Sequence, residues 1–168
     1  NFRHPLLNDS KLLKAEEREL LRKVIEKKAL AYAVARVDNE EIDRINILKA
    51  SFKAMHLAIA SLATEPQLLI IDGNCFVRYQ NIPHQCIIKG DGIYASIAAA
   101  SVLAKTYRDD YMRELHTQFP QYAWAENKGY ATQKHREAIR RYGTTCFHRR
   151  SFKQLPDEAE LFQSLGEQ

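Results

Sequence analysis

A short apolar run that ends abruptly in an acidic turn limits most strongly how this chain can fold. Residues 68–71, Leu-Leu-Ile-Ile, are followed directly by Asp72-Gly73-Asn74. A continuous apolar run of this length, bounded by turn residues, is typical of a strand buried on both faces in a helix-covered sheet. The carboxylate of Asp72 then stands at the carboxyl end of a buried strand, where α/β proteins place their ligands.

A second acidic residue follows the next short apolar segment. Residues 86–88 predict a strand, and Lys89-Gly90-Asp91-Gly92 follows as a glycine-flanked loop. Carboxylates at these two positions are able to bind the same cation. Ordinary turns are the alternative interpretation of both, because Asp-Gly and Gly-Asn are common turn dipeptides.

Helical patterns surround these strands and predict an alternating α/β chain. The further predicted elements are helices over residues 14–28, 45–62, 93–119 and 132–142 and a strand over residues 29–37. At 168 residues the chain fits one globular domain. We expect this domain to span residues 1–153, with a basic helical region from about residue 120, and residues 154–168 to form a polar tail.

Positive charge is concentrated in the second half of the chain. Residues 105–153 hold eleven Lys or Arg against five Asp or Glu, and tyrosines and a tryptophan are interleaved with them. Basic side chains mixed with flat rings are what binding a phosphate backbone and its sugars or bases requires. Solvated helix faces are the alternative interpretation of such a charge pattern.

Ser101, Lys105 and Arg108 fall at helical spacings of four, three and seven in the predicted long helix. These spacings put the three side chains on one helix face, which we expect to look toward substrate. The many Ala and Ser residues before them are explained more simply, since small side chains let a helix lie close to a sheet.

The three cysteines predict free thiols in a reducing compartment. Cys75, Cys86 and Cys146 are odd in number and form no Cys-x-x-Cys pair. A metal cluster built from Cys75, His84 and Cys86 is the alternative, but it needs a fourth ligand that the local sequence does not offer. No run of eighteen apolar residues and no secretion signal is visible, so a cytoplasmic protein without membrane partners is expected.

Eight blocks of sequence, in order along nearly the whole chain, resemble bacterial ribonuclease HII. They are residues 7–11 (LNDSK), 41–48 (EIDRINIL), 71–74 (IDGN), 89–91 (KGD), 98–105 (AAASVLAK), 108–109 (RD), 127–130 (NKGY) and 148–152 (HRRSF). Each block alone is a weak signal, whereas eight in register are hard to obtain by chance.

The resemblance implies a ribonuclease H-like fold, a mixed sheet flanked by helices with a helical C-terminal region. It also implies an endonuclease that cuts the RNA strand of RNA/DNA hybrids and nicks duplex DNA 5′ of a single ribonucleotide. Mg²⁺ or Mn²⁺ would serve as cofactor, held by four acids, of which Asp72 and Asp91 correspond to two. Two-cation phosphodiester hydrolysis relies on such oxygen ligands.

The resemblance assigns substrate contacts as well. Tyr130 would stack on the sugar at the RNA-to-DNA junction, where the 2′-hydroxyl distinguishes RNA from DNA. The alternative is that Tyr130 forms a packing lid over a helix start. The other expected nucleic-acid contacts are Lys11, Ser101, Lys105, Arg108 and Lys128.

The main departure from the family lies at the N-terminus. The family begins with a strand bearing an adjacent Asp-Glu pair, followed by Gly-Arg-Gly and a second strand, and this sequence starts after both. We therefore expect the first two strands of the family fold and two of four catalytic acids to be absent, and the 168 residues alone to be unstable or inactive. Smaller departures are Ala131 and Lys14, the latter costing a helix cap of roughly 1 kcal/mol.

Two other functions remain open from the sequence. One is a catalytically inactive nucleic-acid-binding module, and the other is a different metal nuclease on the same fold. A monomer is expected, and Leu161-Phe162 in the tail could dock on the domain or bind a partner such as a replication clamp.

Overall fold

The computed structural model describes residues 13–152 and residue 155, which belong to two compact units. The N-terminal unit contains the described residues up to 37 together with residues 48–110. The C-terminal unit contains residues 38–47 and the described residues from 111 onward. The domain boundary expected at residue 153 and the tail beyond it lie almost wholly outside the described residues.

The predicted α/β class is confirmed, with a mostly helical chain and a small parallel sheet. The helices are α1 (Ala15–Lys28), α2 (Asn39–Ile45), α3 (Ile47–Ala60), α4 (Ala95–Gln118), α5 (Trp124–Asn127) and α6 (Gln133–Tyr142). The strands are β1 (Leu69–Asp72) and β2 (His84–Ile87), and 3-10 turns form over Gly90–Gly92 and Pro120–Tyr122. Of these described helices, none has the length and apolar character needed to cross a membrane.

The two strands pair in parallel, with Leu69 opposite His84 and Asp72 opposite Ile87. A backbone hydrogen bond of 2.9 Å from Gly73 N to Ile87 O extends the pairing past the end of β1. Leu69, Ile71 and Ile82 form the buried core beneath the strands, and side chains of α3 pack against it. The carboxyl ends of both strands consequently lie side by side.

Helix α1 packs on α4 through a second apolar cluster in the N-terminal unit. Leu21 and Val102 at its centre are fully buried. Beside this cluster, Arg18 pairs with Asp109 at 3.7 Å, and Arg22 pairs with Asp110. Arg22 donates a hydrogen bond to Asp110, and this charge-assisted bond links the two helices directionally.

The predicted strand over residues 29–37 is wrong, because no strand pairs with it among the described residues. Its side chains nevertheless alternate along residues 30–37, exposed at even numbers and half-buried at odd ones. Leu30 is 92% exposed. The period of two that predicted a strand is therefore real, but a strand also needs a neighbour for its backbone N–H and C=O groups.

The helix predicted over residues 45–62 begins instead at Ile47 and is preceded by the short helix α2. Asn46 separates the two helices, and its φ of 69° lies in the left-handed region. Positive φ is uncommon for residues other than glycine, and Asn is among those that adopt it most often. The apolar periodicity of the sequence continues across Asn46. It depends on which side of the chain is buried and gives no information on the φ angle of one residue.

The C-terminal unit is built around aromatic rings. Its buried cluster consists of Met112, Leu115, Tyr122, Trp124, Ala138 and Ile139. Tyr122 and Trp124 stack with their ring centroids 5.1 Å apart, and His135 stacks on His148 at 5.3 Å. Large flat rings contribute much buried area per residue, which lets a small unit form a core.

Helix α2 ties the segment after α6 to this unit. Asn39 Nδ2 donates to Cys146 O at 2.7 Å, and the Asp43 carboxylate accepts from the backbone N–H groups of Arg150 and Ser151. The Ser151 hydroxyl also donates to Asp43, and these hydrogen bonds lower the pKa of the Asp43 carboxyl. Two side chains of one short helix thus hold residues 146–151.

His148 is held neutral inside the aromatic cluster. Its Nδ1 accepts from Thr145 N–H at 2.9 Å, so the ring proton belongs on Nε2, which is buried without a hydrogen-bond partner. Burial first, and the charge of His135 second, lower the pKa of His148 from 6.5 to about 4. A protonated His148 is therefore unfavourable in the folded unit.

We expect the C-terminal unit to lose stability as the pH falls from about 6.5 toward 4. Because the folded pKa of His148 lies below its ordinary value, the unfolded chain binds the proton more readily in that window. The loss should reach at most about 3 kcal/mol at pH 4. Urea unfolding followed by the fluorescence of Trp124, the single tryptophan, measures it.

The matched variant is His148→Asn, whose side-chain oxygen is still able to accept from Thr145 N–H but does not titrate. Its free energy of unfolding should fall less steeply over the same pH range. Equal slopes in the two proteins would contradict the assignment to His148.

Candidate functional site

Asp72 and the Gly90–Gly92 turn meet at the carboxyl end of the sheet. Asp72 is the last residue of β1 and is exposed, and its Oδ1 accepts a hydrogen bond of 2.9 Å from Gly90 N–H. Asp91, the next residue of the turn, is 6% exposed. The structure therefore brings the Asp72 side chain against the turn that carries Asp91.

Glycine at position 90 lies in close contact with helix α4. Lys89, just before it, adopts a left-handed conformation with φ of 56°, and the chain then turns into α4. A Cβ built on Gly90 would lie 2.6 Å from Ile97 Cδ1. The turn that carries Asp91 therefore packs directly against Ile97, the first buried side chain of α4.

The chemistry of these groups suits a hard cation. Mg²⁺ in proteins is commonly held by one or two carboxylates together with waters and substrate phosphate. A carboxylate as buried as Asp91 is generally paired or bound to a metal ion, because isolated burial of its charge is costly. No group of three or more His, Cys, Asp or Glu able to hold a metal ion forms within the described part of the chain. The alternative cluster of Cys75, His84 and Cys86 is thereby disfavoured, and all three cysteines are free thiols.

A wide apolar groove of about 1150 Å³ lies beside Asp72 in the N-terminal unit. It is bordered by residues 29–35, one face of α3, strand β1 and the small-residue face of α4. Asp72 and Ser101 are among its few polar lining residues. The groove thus runs along the open edge of β1 and reaches one of the two acidic residues.

Ser101, Lys105 and Arg108 all lie on α4, as their spacing predicted. Ser101 and Lys105 are half-buried and Arg108 is exposed. They belong to the N-terminal unit, as do Asp72 and Asp91. Lys11 lies outside the described residues.

A charged network between α1 and α4 was not predicted as part of the site. The Arg22 guanidinium lies 3.9 Å from the centre of the Tyr107 ring and donates to Glu26 at 2.8 Å, and the Tyr107 hydroxyl donates to the same carboxylate at 3.0 Å. Asp110, followed by Glu26, raises the pKa of Arg22, while the bond from Arg22 lowers the pKa of Glu26. The i, i+4 spacing of Arg22 and Glu26 was the only sequence signal for it.

Tyr130 is 65% exposed in the C-terminal unit, which disfavours its interpretation as a packing lid. The two residues before it, Lys128 and Gly129, have φ of 52° and 79°, so the chain reverses sharply ahead of the ring. Thr132, the N-cap of α6, donates from its backbone N–H to Tyr130 O at 2.8 Å. The ring therefore projects from a tightly bonded loop.

Comparison with known proteins gives a consistent result. The family model described as Ribonuclease HII matches residues 2–155. A protein named Ribonuclease HII from Bacteroides fragilis is 60% identical over 163 residues, covering 96% of this chain and 81% of that protein. Another of that name, from Christiangramia forsetii, is 55% identical over 95% of this chain and 81% of the relative.

A solved structure, the crystal structure of the ribonuclease H2 from Pyrococcus horikoshii OT3, shares the fold. Its TM-score is 0.73 at 20% identity, with 97% of this chain and 83% of that chain covered. The family match and the relatives above 50% identity agree with the eight sequence blocks. The chain belongs to the ribonuclease HII family.

Proposed function

We propose that this chain carries half of the catalytic centre of an endonuclease that cuts the RNA strand of RNA/DNA hybrids and nicks duplex DNA 5′ of a single ribonucleotide. Membership of the ribonuclease HII family supports the coarser activity, cleavage of RNA. The observation that carries the site is the hydrogen bond between Asp72 Oδ1 and Gly90 N–H, which holds one carboxylate beside the turn of the other.

Asp72 and Asp91 would hold Mg²⁺ or Mn²⁺, since both ions favour oxygen ligands. A bound divalent ion would supply charge to stabilise the oxygens of the scissile phosphate. Asp72, exposed at the strand end, would face the substrate. Asp91 is buried and anchored in its turn, and it would keep a fixed ligand position.

The remaining residues would bind and orient the nucleic acid. Ser101, Lys105 and Arg108 would contact phosphates along α4, and Lys128 would do so beside Tyr130. Tyr130 would stack on the ribose next to the cleavage point, where the 2′-hydroxyl marks RNA. Lys11 is proposed as a further phosphate contact from its sequence block alone. The enzyme would act in the cytoplasm as a monomer.

Two carboxylates leave the proposed centre short of ligands, and the groove beside Asp72 offers room for more. A strand seated there would run along the open edge of β1 and end near Asp72. Residues 31–35, which alternate in exposure and belong to no strand of the described chain, border the same space. Because 19% of each of these relatives lies outside the matched region, we infer that a strand of this kind supplies the missing acids.

We expect Mn²⁺ to bind the 168-residue chain weakly and Asp72→Asn to lower its affinity by about tenfold or more. The amide removes the negative charge while keeping an acceptor for Gly90 N–H. Calorimetric titration with Mn²⁺ measures the change. Glu40→Gln is the matched control, a carboxylate-to-amide change on the exposed side of α2.

Equal affinities of wild type and Asp72→Asn would contradict the metal-ligand role. If, in addition, RNA/DNA hybrid still binds to Asp72→Asn without regard to Mg²⁺, the chain is a nucleic-acid-binding module and not a nuclease.

We further expect the 168 residues alone to nick a duplex bearing one ribonucleotide far more slowly than a chain preceded by the N-terminal segment of the Bacteroides fragilis relative. The longer chain would complete the carboxylate set. Gel analysis of end-labelled duplex in Mg²⁺ measures the rates and the cut position.

Efficient nicking by the 168 residues would show that the two carboxylates suffice. Cleavage of the same duplex without any ribonucleotide, by either chain, would instead indicate a metal nuclease of different specificity.

A further inference from the structure

Asn127 is a buried polar residue with no role in the site described so far. It is the last residue of α5 and is 7% exposed. Polar side chains are seldom buried unless their hydrogen bonds are made inside the protein. Its position, between the aromatic core of the C-terminal unit and Tyr130, makes the direction of those bonds informative.

Both ends of the Asn127 amide are used. Nδ2 donates to Tyr122 O at 2.7 Å, and Oδ1 accepts from Gly129 N–H at 2.8 Å. One bond needs a donor and the other an acceptor, so the orientation of the amide is fixed by its partners. Asp would retain only the acceptor, and Ala would retain neither.

The loop that Asn127 holds is strained. Lys128, a non-glycine residue, and Gly129 are consecutive left-handed residues. Such a conformation persists where the surroundings determine it. Asn127 supplies two constraints, because its side chain binds Gly129 N–H and its backbone carbonyl accepts from Tyr130 N–H at 2.9 Å.

The other end of the amide rests on a rigid support. Tyr122 is 1% exposed, its ring stacks on Trp124, and its hydroxyl donates to Gly143 O at 2.8 Å. His135 Nδ1 lies 3.1 Å from the same carbonyl of Tyr122 that Asn127 uses. Since a carbonyl only accepts, that nitrogen carries the proton. The Tyr122 carbonyl is therefore fixed from two sides.

We propose that Asn127 is a positioning residue that sets the direction of the Tyr130 ring and, through it, the selectivity for ribose over deoxyribose. The proposal rests on the proposed function, in which Tyr130 stacks on the sugar. Loosening the two left-handed residues would let the ring sample several directions. Ribose recognition would then weaken more than contact with the phosphate backbone, which does not depend on the ring.

The test compares two duplexes that differ only in one ribonucleotide, bound in EDTA so that no cleavage occurs. Asn127→Ala should lower the ratio of the two dissociation constants by about tenfold, the loss expected for one hydrogen bond. Affinity for the all-DNA duplex should change by no more than about twofold. Tyr130→Ala should lower this ratio by a similar factor. In the double variant Asn127→Ala/Tyr130→Ala the ratio should fall no further than in either single variant. Gln121→Ala, at an exposed neighbouring position, is the matched control.

Amide hydrogen exchange supplies a second readout that does not require nucleic acid. In Asn127→Ala the amides of Gly129 and Tyr130 should exchange about tenfold faster, while those of α6 keep their rates. Asn127→Asp serves if the alanine variant fails to fold. It keeps the acceptor for Gly129 N–H and loses the donor to Tyr122 O, so the amide of Tyr130 should exchange faster while that of Gly129 changes less.

Two results would overturn the proposal. One is an equal loss of affinity for both duplexes, which indicates a purely structural residue. The other is unchanged exchange at Gly129 and Tyr130. If wild type itself binds both duplexes equally, the ribose role of Tyr130 fails, and the exchange rates then decide alone whether Asn127 holds the loop.

Discussion

The parallel pairing of β1 with β2 is the constraint on which the candidate site depends. Its register sets Asp72 opposite Ile87, so the chain leaving β2 passes directly beside the Asp72 carboxylate. The bond from Gly73 N to Ile87 O and the bond from Gly90 N to Asp72 Oδ1 then close the end of the sheet. A shift of one residue would turn Asp72 to the opposite face of the sheet. The separation of the two acids is therefore a consequence of strand register before it is one of side-chain chemistry.

Sequence patterns predicted what depends on local chain preferences. Helical sequence patterns predicted α1, α4 and α6. Helix α6 begins after its N-cap Thr132 and ends at its C-cap Gly143, in agreement with the helix predicted over residues 132–142. The turn residues after β1 and β2 were likewise predicted, because Asp-Gly and Lys-Gly-Asp need no distant contacts to form bends. The resemblance then selected Asp72 and Asp91 from many acidic residues, and this selection remains a prediction.

Features that depend on distant partners were not visible in the sequence. Residues 29–37 have the alternation of a strand, but a strand forms only where a neighbour accepts its hydrogen bonds. Nothing near Asp43 in the sequence indicates that its carboxylate accepts from the backbone N–H groups of Arg150 and Ser151, more than a hundred residues away. In the sequence, Asn127 was only the first residue of the block 127–130. Its buried hydrogen bond to Tyr122 O forms only when α5 has folded. In each case the missing information was the identity of the partner.

The residues proposed to act on nucleic acid in each of the two units are stabilised by different physics. In the N-terminal unit, Asp91 is buried, and the turn that carries it packs closely against Ile97 at Gly90. In the C-terminal unit, Tyr130 owes its position to hydrogen bonds that offset left-handed backbone conformations. Packing resists displacement steeply, because cores are nearly as dense as crystals of small molecules. Loop hydrogen bonds resist it less, at about 1 kcal/mol each. The first kind of support would suit the proposed metal ligand, and the second would suit a ring proposed to bind and then release a nucleic-acid strand.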